Sequence, residues 1–319
     1  MEFDTLFHSF WSFTVTGLAN GSIYALVALG YTLVYGVLRL INFAHSEVFM
    51  IGTLASLFTL RALGADDYGR TGVVLLVVIL VAFASSAGAS AFTAVILERI
   101  AYRPLRRRNA PRLAFLISAI GMSLFLQELV AVNLFGHTII GRVPSGTFVL
   151  EKNTLFKFFD ADIRVDQIIV VASAILMMVA LDQFVRRTRL GRGVRAVSQD
   201  IETAQLMGVN IDRVIMLTFL LGGIMAGGAG LLYLITLERT AFNVGFFIGI
   251  KAFTAAVLGG IGNLRGALVG GLLLGLIENY GSAIFGTQWR DPISFAVLIL
   301  VLLFRPTGIL GEQLGRARA

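Results

Sequence analysis

Along this chain, long apolar stretches alternate with short polar or arginine-rich segments. A helix facing water on one side carries a stripe of apolar positions at helical spacing. The stretches here are instead apolar on every side, and they lack the two-residue rhythm of a membrane-barrel strand. A bilayer core needs roughly 20 apolar residues per helix, fewer where a helix is broken or buried. Spans are read near residues 11–37, 47–63, 72–97, 113–135, 166–185, 213–237, 247–262, 265–285 and 291–305. The pattern predicts an all-α polytopic membrane protein with about eight or nine transmembrane helices. One helix near 247–266 is expected to be broken or short, and residues 1–319 form a single transmembrane domain.

Charge gives the spans a direction. Arg99, Arg103, Arg106, Arg107, Arg108 and Arg112 follow the third span, and Arg186, Arg187, Arg189, Arg192, Arg195 and Arg213 follow the fifth. Arginine-rich loops stay in the cytoplasm. The mixed segment 136–165, with Glu151, Lys152, Asp160 and Asp162, then lies outside by parity. Counting along the spans puts the N-terminus outside and Arg305, Arg316 and Arg318 of the C-terminus in the cytoplasm. The stretch Met1–Trp11 is acidic and aromatic, with no basic region ahead of its apolar run, so the first span is expected to be retained.

Composition agrees with this reading and narrows the chemistry. Of 319 residues, 57% are hydrophobic and 14% charged, against about 25% charged in a soluble domain. The mean hydropathy is +0.84. Thirty-five glycines suit close helix packing in lipid. There is no cysteine, which removes disulfides and thiol chemistry. His8, His45 and His137 are too scattered to suggest a metal centre. The net charge of +7 is accounted for by the cytoplasmic loops, so no nucleic-acid partner is expected.

Polar residues interrupt the apolar runs in three ways. Ile41–Glu47 places Asn42, Phe43, His45 and Glu47 between two strongly apolar stretches. Polar groups at membrane depth are costly and face a pathway or one another. A plain turn in which Ser46 or Asn42 caps the next helix is the alternative. Leu258–Gly266, with Gly259, Gly260 and Gly262, followed by Gly270, Gly271 and Gly275, weakens helix by about 1 kcal/mol per glycine. That marks either a discontinuous helix beside a solute path or a tight turn with close packing. Isolated polar residues also stand inside spans: Gln127, Glu128, Lys251, Glu278 and Asn279. Lys251 is near the outer end of its span, where it can snorkel; Glu278 is deeper and has no evident partner.

The loop 186–212 carries helical design. Asp200 is an N-cap, Glu202 lies in the first turn, Ala204, Leu206 and Met207 form an apolar side, and Gly208 stops the helix. Glu202-Thr203-Ala204 with Gly208 is similar to the EAA---G motif of ABC-transporter permeases, with Thr203 in place of the usual Ala. Blocks elsewhere resemble the branched-chain amino-acid ABC permease family, H-type subunit. They include Leu18–Leu26, Gly30–Gly36, Ile41–His45, Glu98–Pro104, Leu116–Ser123, Lys251–Gly262 and Arg305–Gly311, in order along the chain. Ser46 stands where the family has Gly, Arg265 where Pro is common, and Phe242–Phe246 lacks a customary Pro.

The resemblance implies a bacterial plasma-membrane (inner-membrane) importer subunit with a polar path open alternately to each side. Its partners would be a homologous second permease, two ATP-binding cassette subunits and an extracytoplasmic substrate-binding protein, all working in the lipid bilayer. Leucine, isoleucine and valine are the implied substrates, with urea, amides or other amino acids as alternatives within the family. Coupling to the ATPase would rest on Gly191, Arg192, Arg195, Glu202, Thr203, Ala204 and Gly208, and the solute path on Asn42, Phe43, His45, Glu47, Gly259, Gly260, Gly262 and Glu278. The chain has no Walker A sequence, so ATP would be used by the partner subunits and no cofactor, metal or catalytic residue is expected here. An ion-coupled carrier would leave the designed loop unexplained. For an intramembrane enzyme, His45 and Glu47 lie two residues apart and point to different helix faces.

Overall fold

The computed structural model describes residues 9–64, 72–134, 137–138, 145–147, 150, 152–158 and 161–311. Helices stand where the apolar runs stand. α1 spans Phe10–Leu38, α2 His45–Ala62 and α3 Val73–Leu97. α3 passes through a π-helical turn, Glu98–Tyr102, into the short α4, Arg103–Arg107. α5 is Arg112–Ala131, α6 Val165–Arg187, α7 Arg189–Gln199 and α8 Ile201–Leu206. α9 is Ile211–Leu237, α10 Val244–Gly259, α11 Leu264–Phe285 and α12 Arg290–Phe304. Among the described residues, short strands form three antiparallel pairs: Asn133–Leu134 with His137–Thr138, Ser145–Gly146 with Arg239–Thr240, and Thr154–Phe158 with Ala161–Arg164. The protein is an all-α polytopic membrane protein.

Among the described residues, seven helices are long and apolar enough to cross a membrane. They comprise α1, α3 with its continuation to Arg107, α5, α6, α9, α11 and the stretch Thr287–Phe304. The remaining two predicted spans are α2, of 18 residues, and α10, of 16. Both are buried along most of their length, α2 mainly against α3, α9 and α10, and α10 against α11, α1, α2 and α12. Shielded from lipid, they tolerate a shorter and more polar sequence; α2 buries His45, Ser46, Glu47, Thr53 and Ser56.

The two ends of the bundle are chemically distinct. At one end, Arg103 and Arg106 pair with Asp212, Arg39 donates to the carbonyl of Ser198, and Arg265 lies 3.9 Å from Asp182. Both arginine-rich segments and the ends of α1 and α6 therefore meet there. At the other end, Arg61 donates to the carbonyl of Gly146, Lys152 pairs with Glu238, and Tyr280 packs on Phe10.

Small residues and hydroxyls bring the helices close around a core of larger side chains such as Phe49, Tyr102 and Phe219. Gly275 of α11 lies directly against Gly17 and Gly21 of α1, where a Cβ would meet backbone. In lipid such close approach supplies the dispersion contact that drives helix association. Ser86 of α3 donates to the carbonyls of Gly52 and Gly227, and Ser90 donates to that of Val48, so one helix face ties α3 to α2 and α9. Beyond α12, the chain folds back as a strap: Ile309 and Leu310 donate their N–H groups to Leu258 and Gly259 at the end of α10. Asn263 returns a bond to the carbonyl of Leu310, at 2.8 Å.

Candidate functional site: a buried polar junction and a capped surface helix

α2 does not begin at the edge of the bundle. The imidazole of His45, its first residue, sits against Gly30 of α1 and Gly222 of α9. Gly30 lies eight residues before Leu38, the last residue of α1, which is about 12 Å of helix. The segment 39–44 therefore turns back inward before α2 starts. α10 does the same from the opposite direction: after α9 ends at Leu237, Thr240 meets Thr53, midway along α2, at 2.6 Å. The first turn of α10 then lies beside the first turn of α2, with Gly245 against Glu47 and Ser46.

Two helix N-termini thus converge inside the bundle. Each leaves backbone N–H groups without intrahelical partners and carries the positive end of a helix dipole. Among them stands Glu47, whose side chain is 0% exposed. Its Oε1 accepts from Ser123 of α5 at 3.2 Å and from Ser46 at 3.5 Å; its Oε2 has no hydrogen-bond partner among the described residues. His45 is 2% exposed and stacks edge-on against Tyr31 at 5.0 Å, and its Nε2 has no hydrogen-bond partner among the described residues. Phe43 packs on Phe253, and a narrow cleft lined by Tyr31, Tyr35, Ile41, Phe253, Ala256 and Ile261 runs beside them. Neither Ser46 nor Asn42 caps α2, contrary to the simple-turn alternative. The Ser46 hydroxyl donates backwards to the carbonyl of Phe43 at 2.7 Å, while the Asn42 side chain accepts from Tyr102 at 2.8 Å. Gly249 leaves the room that the Cβ of Ser46 occupies.

The glycine run Gly259, Gly260 and Gly262 forms the turn between α10 and α11 under the C-terminal strap, apart from His45 and Glu47. Gly259 lies back to back with Gly266, and Asn263 caps α11 by accepting from Arg265 and Gly266. Glu278 is elsewhere again, at a buried charge cluster. It pairs with Lys251 at 2.8 Å and Arg290 at 2.7 Å, and accepts from Tyr24 and Ser294, each at 3.2 Å. Lys251 also pairs with Asp291. Lys251 does not snorkel to an interface: it is buried by α1, α11 and α12, where a counter-ion offsets its charge. The sequence reading missed Ser123, Tyr31 and Gly245 at the α2–α10 junction; Ser123 and Tyr31 lie within blocks that carried the family resemblance.

The loop 186–212 folds as two helices. Thr188 caps α7 by accepting from Gly191, whose lack of a side chain lets α7 cross the carbonyls of Phe184 and Val185. Asp200 caps α8, accepting from the N–H groups of Glu202 at 2.9 Å and Thr203 at 3.3 Å. The hydroxyl of Thr203 also donates to Asp200, at 2.5 Å, an interaction that an alanine at 203 would lack. Gly208 takes φ +82°, the left-handed stop. Arg192, Arg195, Glu202 and Thr203 are exposed. One expectation is corrected: Ala204, Leu206 and Met207 do not share a face. Ala204 is buried toward the bundle, while Leu206 is 87% and Met207 80% exposed.

Two tests follow from this geometry. A Cβ at Gly30 would overlap the imidazole of His45, so Gly30→Ala is expected to cost about 1–3 kcal/mol of stability by overpacking. A lowered unfolding midpoint in detergent is the readout; an unchanged midpoint would mean His45 has room to move. The second concerns Asp200. The hydroxyl of Thr203, then its N–H and that of Glu202, hold the Asp200 carboxyl below its ordinary value of 3.8. A depressed pKa stabilises the capped state above that value and loses the contribution as pH falls through the folded-state pKa. Protection of the Glu202 and Thr203 amides, their exchange rate divided by the intrinsic rate at the same pH, is expected to stay constant from pH 8 to 5 and to fall only below about 3.8. Loss of protection near neutral pH would point to a different group.

Comparison with known proteins agrees with this architecture. Residues 13–302 match the family described as "Branched-chain amino acid transport system / permease component". The chain is 44% identical over 301 residues to the high-affinity branched-chain amino acid transport system permease protein BraD of Pseudomonas aeruginosa, covering 93% of this chain and 94% of that one. It is 44% identical over 300 residues to the corresponding permease protein LivH of Escherichia coli, with the same coverage. The chain belongs to this permease family.

Proposed function

We propose that this protein is the transmembrane permease subunit of an ABC importer for branched-chain amino acids. With a second, homologous permease it forms the translocation path; two ATP-binding cassette subunits bind and hydrolyse the ATP, and an extracytoplasmic binding protein delivers the solute. The chain sits in a bacterial plasma membrane with its N-terminus outside and its arginine-rich end, including α7, α8 and the C-terminus, in the cytoplasm.

The observation that carries this reading is α8. It is a capped helix at the arginine-rich end, presenting Leu206 and Met207 outward, uncovered by the described residues. Exposed apolar side chains on an ordered helix mark a docking surface. They sit at the end of the protein where the positive-inside rule puts the cytoplasm. Substrate class is supported by the relatives, whose names specify branched-chain amino acid transport. It also suits the junction of α2 and α10: helix N-termini and a carboxylate meet the zwitterionic head, and Phe43, Tyr31 and Phe253 meet the aliphatic side chain. The test is ATP-driven uptake by the assembled transporter in proteoliposomes with its binding protein. Leucine, isoleucine and valine are expected to be taken up and urea excluded; uptake of urea in preference to leucine would overturn the substrate assignment.

A further inference from the structure

Two separate contacts anchor the docking hairpin to the body of the protein, and both lead to one short turn. Arg39, in the left-handed conformation at φ 55°, ends α1 and donates to the carbonyl of Ser198 near the end of α7, at 2.7 Å. Asp212, in the first turn of α9 just beyond α8, accepts from Arg106 at 2.6 Å and pairs with Arg103 at 3.2 Å. Arg106 reaches Glu98 as well, at 3.0 Å. Glu98 opens the π-turn and Tyr102 closes it. The ring of Tyr102 is buried against Phe219 of α9 and Phe115 of α5, and its hydroxyl donates to Asn42 at 2.8 Å. The carbonyl of Asn42 in turn accepts from the N–H of His45, the first residue of α2. The segment 39–44 is thus held at Arg39 by α7 and at Asn42 by the π-turn.

A π-turn carries one residue more per hydrogen-bonded ring than α-helix and recurs at functional sites. We propose that Tyr102 is a positioning residue: through its bond to Asn42 it transmits displacement of α7 and α8 to the start of α2, moving His45 and Glu47 relative to α10. This rests on the importer reading above, since it needs a partner that pushes on α8. A tyrosine that merely filled the core would affect the amount of assembled transporter and all its activities together. A positioning tyrosine changes the ratio of solute moved to ATP hydrolysed.

The experiment is Tyr102→Phe in the complete transporter, reconstituted with its leucine-loaded binding protein, with ATP hydrolysis and leucine uptake measured on one preparation. Phe keeps the ring contacts and removes only the hydroxyl. ATP hydrolysis is expected to be little changed while leucine moved per ATP falls about tenfold, within the usual span of coupling effects. An unchanged ratio, whether both activities persist or both fall in proportion, overturns the proposal. Asp212→Asn, at the other end of the same run of contacts, is expected to lower the ratio too, and it decides the matter should Tyr102→Phe not assemble. Wild-type transporter lacking ATP-driven leucine uptake would overturn the importer reading and this proposal with it; a coupled wild type with an unaltered variant ratio overturns this proposal alone.

Discussion

Replacing Leu206 and Met207 together with aspartate is expected to abolish ATP-driven uptake while leaving the chain inserted and folded. The two side chains are 87% and 80% exposed and fill no space inside this protein, so their removal opens no cavity. Their neighbours secure the helix without them: Asp200 caps its start, Ala204 packs inward, and Gly208 ends it. Apolar anchors at the centre of a docking surface each contribute about 2 kcal/mol or more. Losing both amounts to about 4 kcal/mol, or roughly a thousandfold in affinity, before the cost of pressing carboxylates against an apolar groove. The measurement is co-purification of the ATPase subunits with the variant, beside its level in the membrane. Undiminished ATPase association would sink the docking assignment. Ala204→Asp is a poorer test, because it puts a charge into the bundle and disturbs the fold itself.

Glu278→Ala should be among the most destabilising substitutions in the chain. Glu278 is buried and is the common acceptor for Lys251, Arg290, Tyr24 and Ser294. Removing it leaves two cations facing each other, with Asp291 as the remaining acid in the cluster. Breaking a fully buried ion pair from one side costs about 3–5 kcal/mol; the cost here is expected toward or below the lower end, because Arg290 is partly exposed and Lys251 keeps Asp291. Lys251→Met is expected to cost less, since Glu278 retains Arg290 and both hydroxyl donors while Asp291 is half exposed to water. Unfolding midpoints in a denaturing-detergent titration give the order directly. Lys251→Met proving the more damaging would mean that the lysine, not the glutamate, organises the cluster.

Those partners explain what sequence reading can and cannot reach in such a protein. Span positions are legible because lipid imposes both length and apolarity on the residues it touches. α1, α6 and α11 begin and end within two residues of the runs read from the chain. Asp200 and Gly208 are legible because capping and left-handed stops are local. The inward side of Ala204 is not, since α8 is too short and too exposed for periodicity to point toward the bundle. Nor are the partners of Glu278, which come from α1, α10 and α12 and meet it only through packing. A helix that is apolar all round gives no hint of which face its neighbours cover. For the same reason Asn42 looked like a local cap, whereas its side chain is taken by Tyr102, sixty residues away.

The strap that follows α12 bears on how the protein is made. α10 ends at Gly259 with its last carbonyls open, and those of Leu258 and Gly259 are closed by the N–H groups of Ile309 and Leu310. A helix of 16 residues, polar at Lys251 and unfinished at its end, is a poor object for lipid to hold by itself. Leu310 follows Gly259 by some fifty residues, so these carbonyls cannot be closed until that stretch has been synthesised. A nascent chain released before Gly311 would carry every long apolar helix and still lack the clasp that closes its two-helix hairpin.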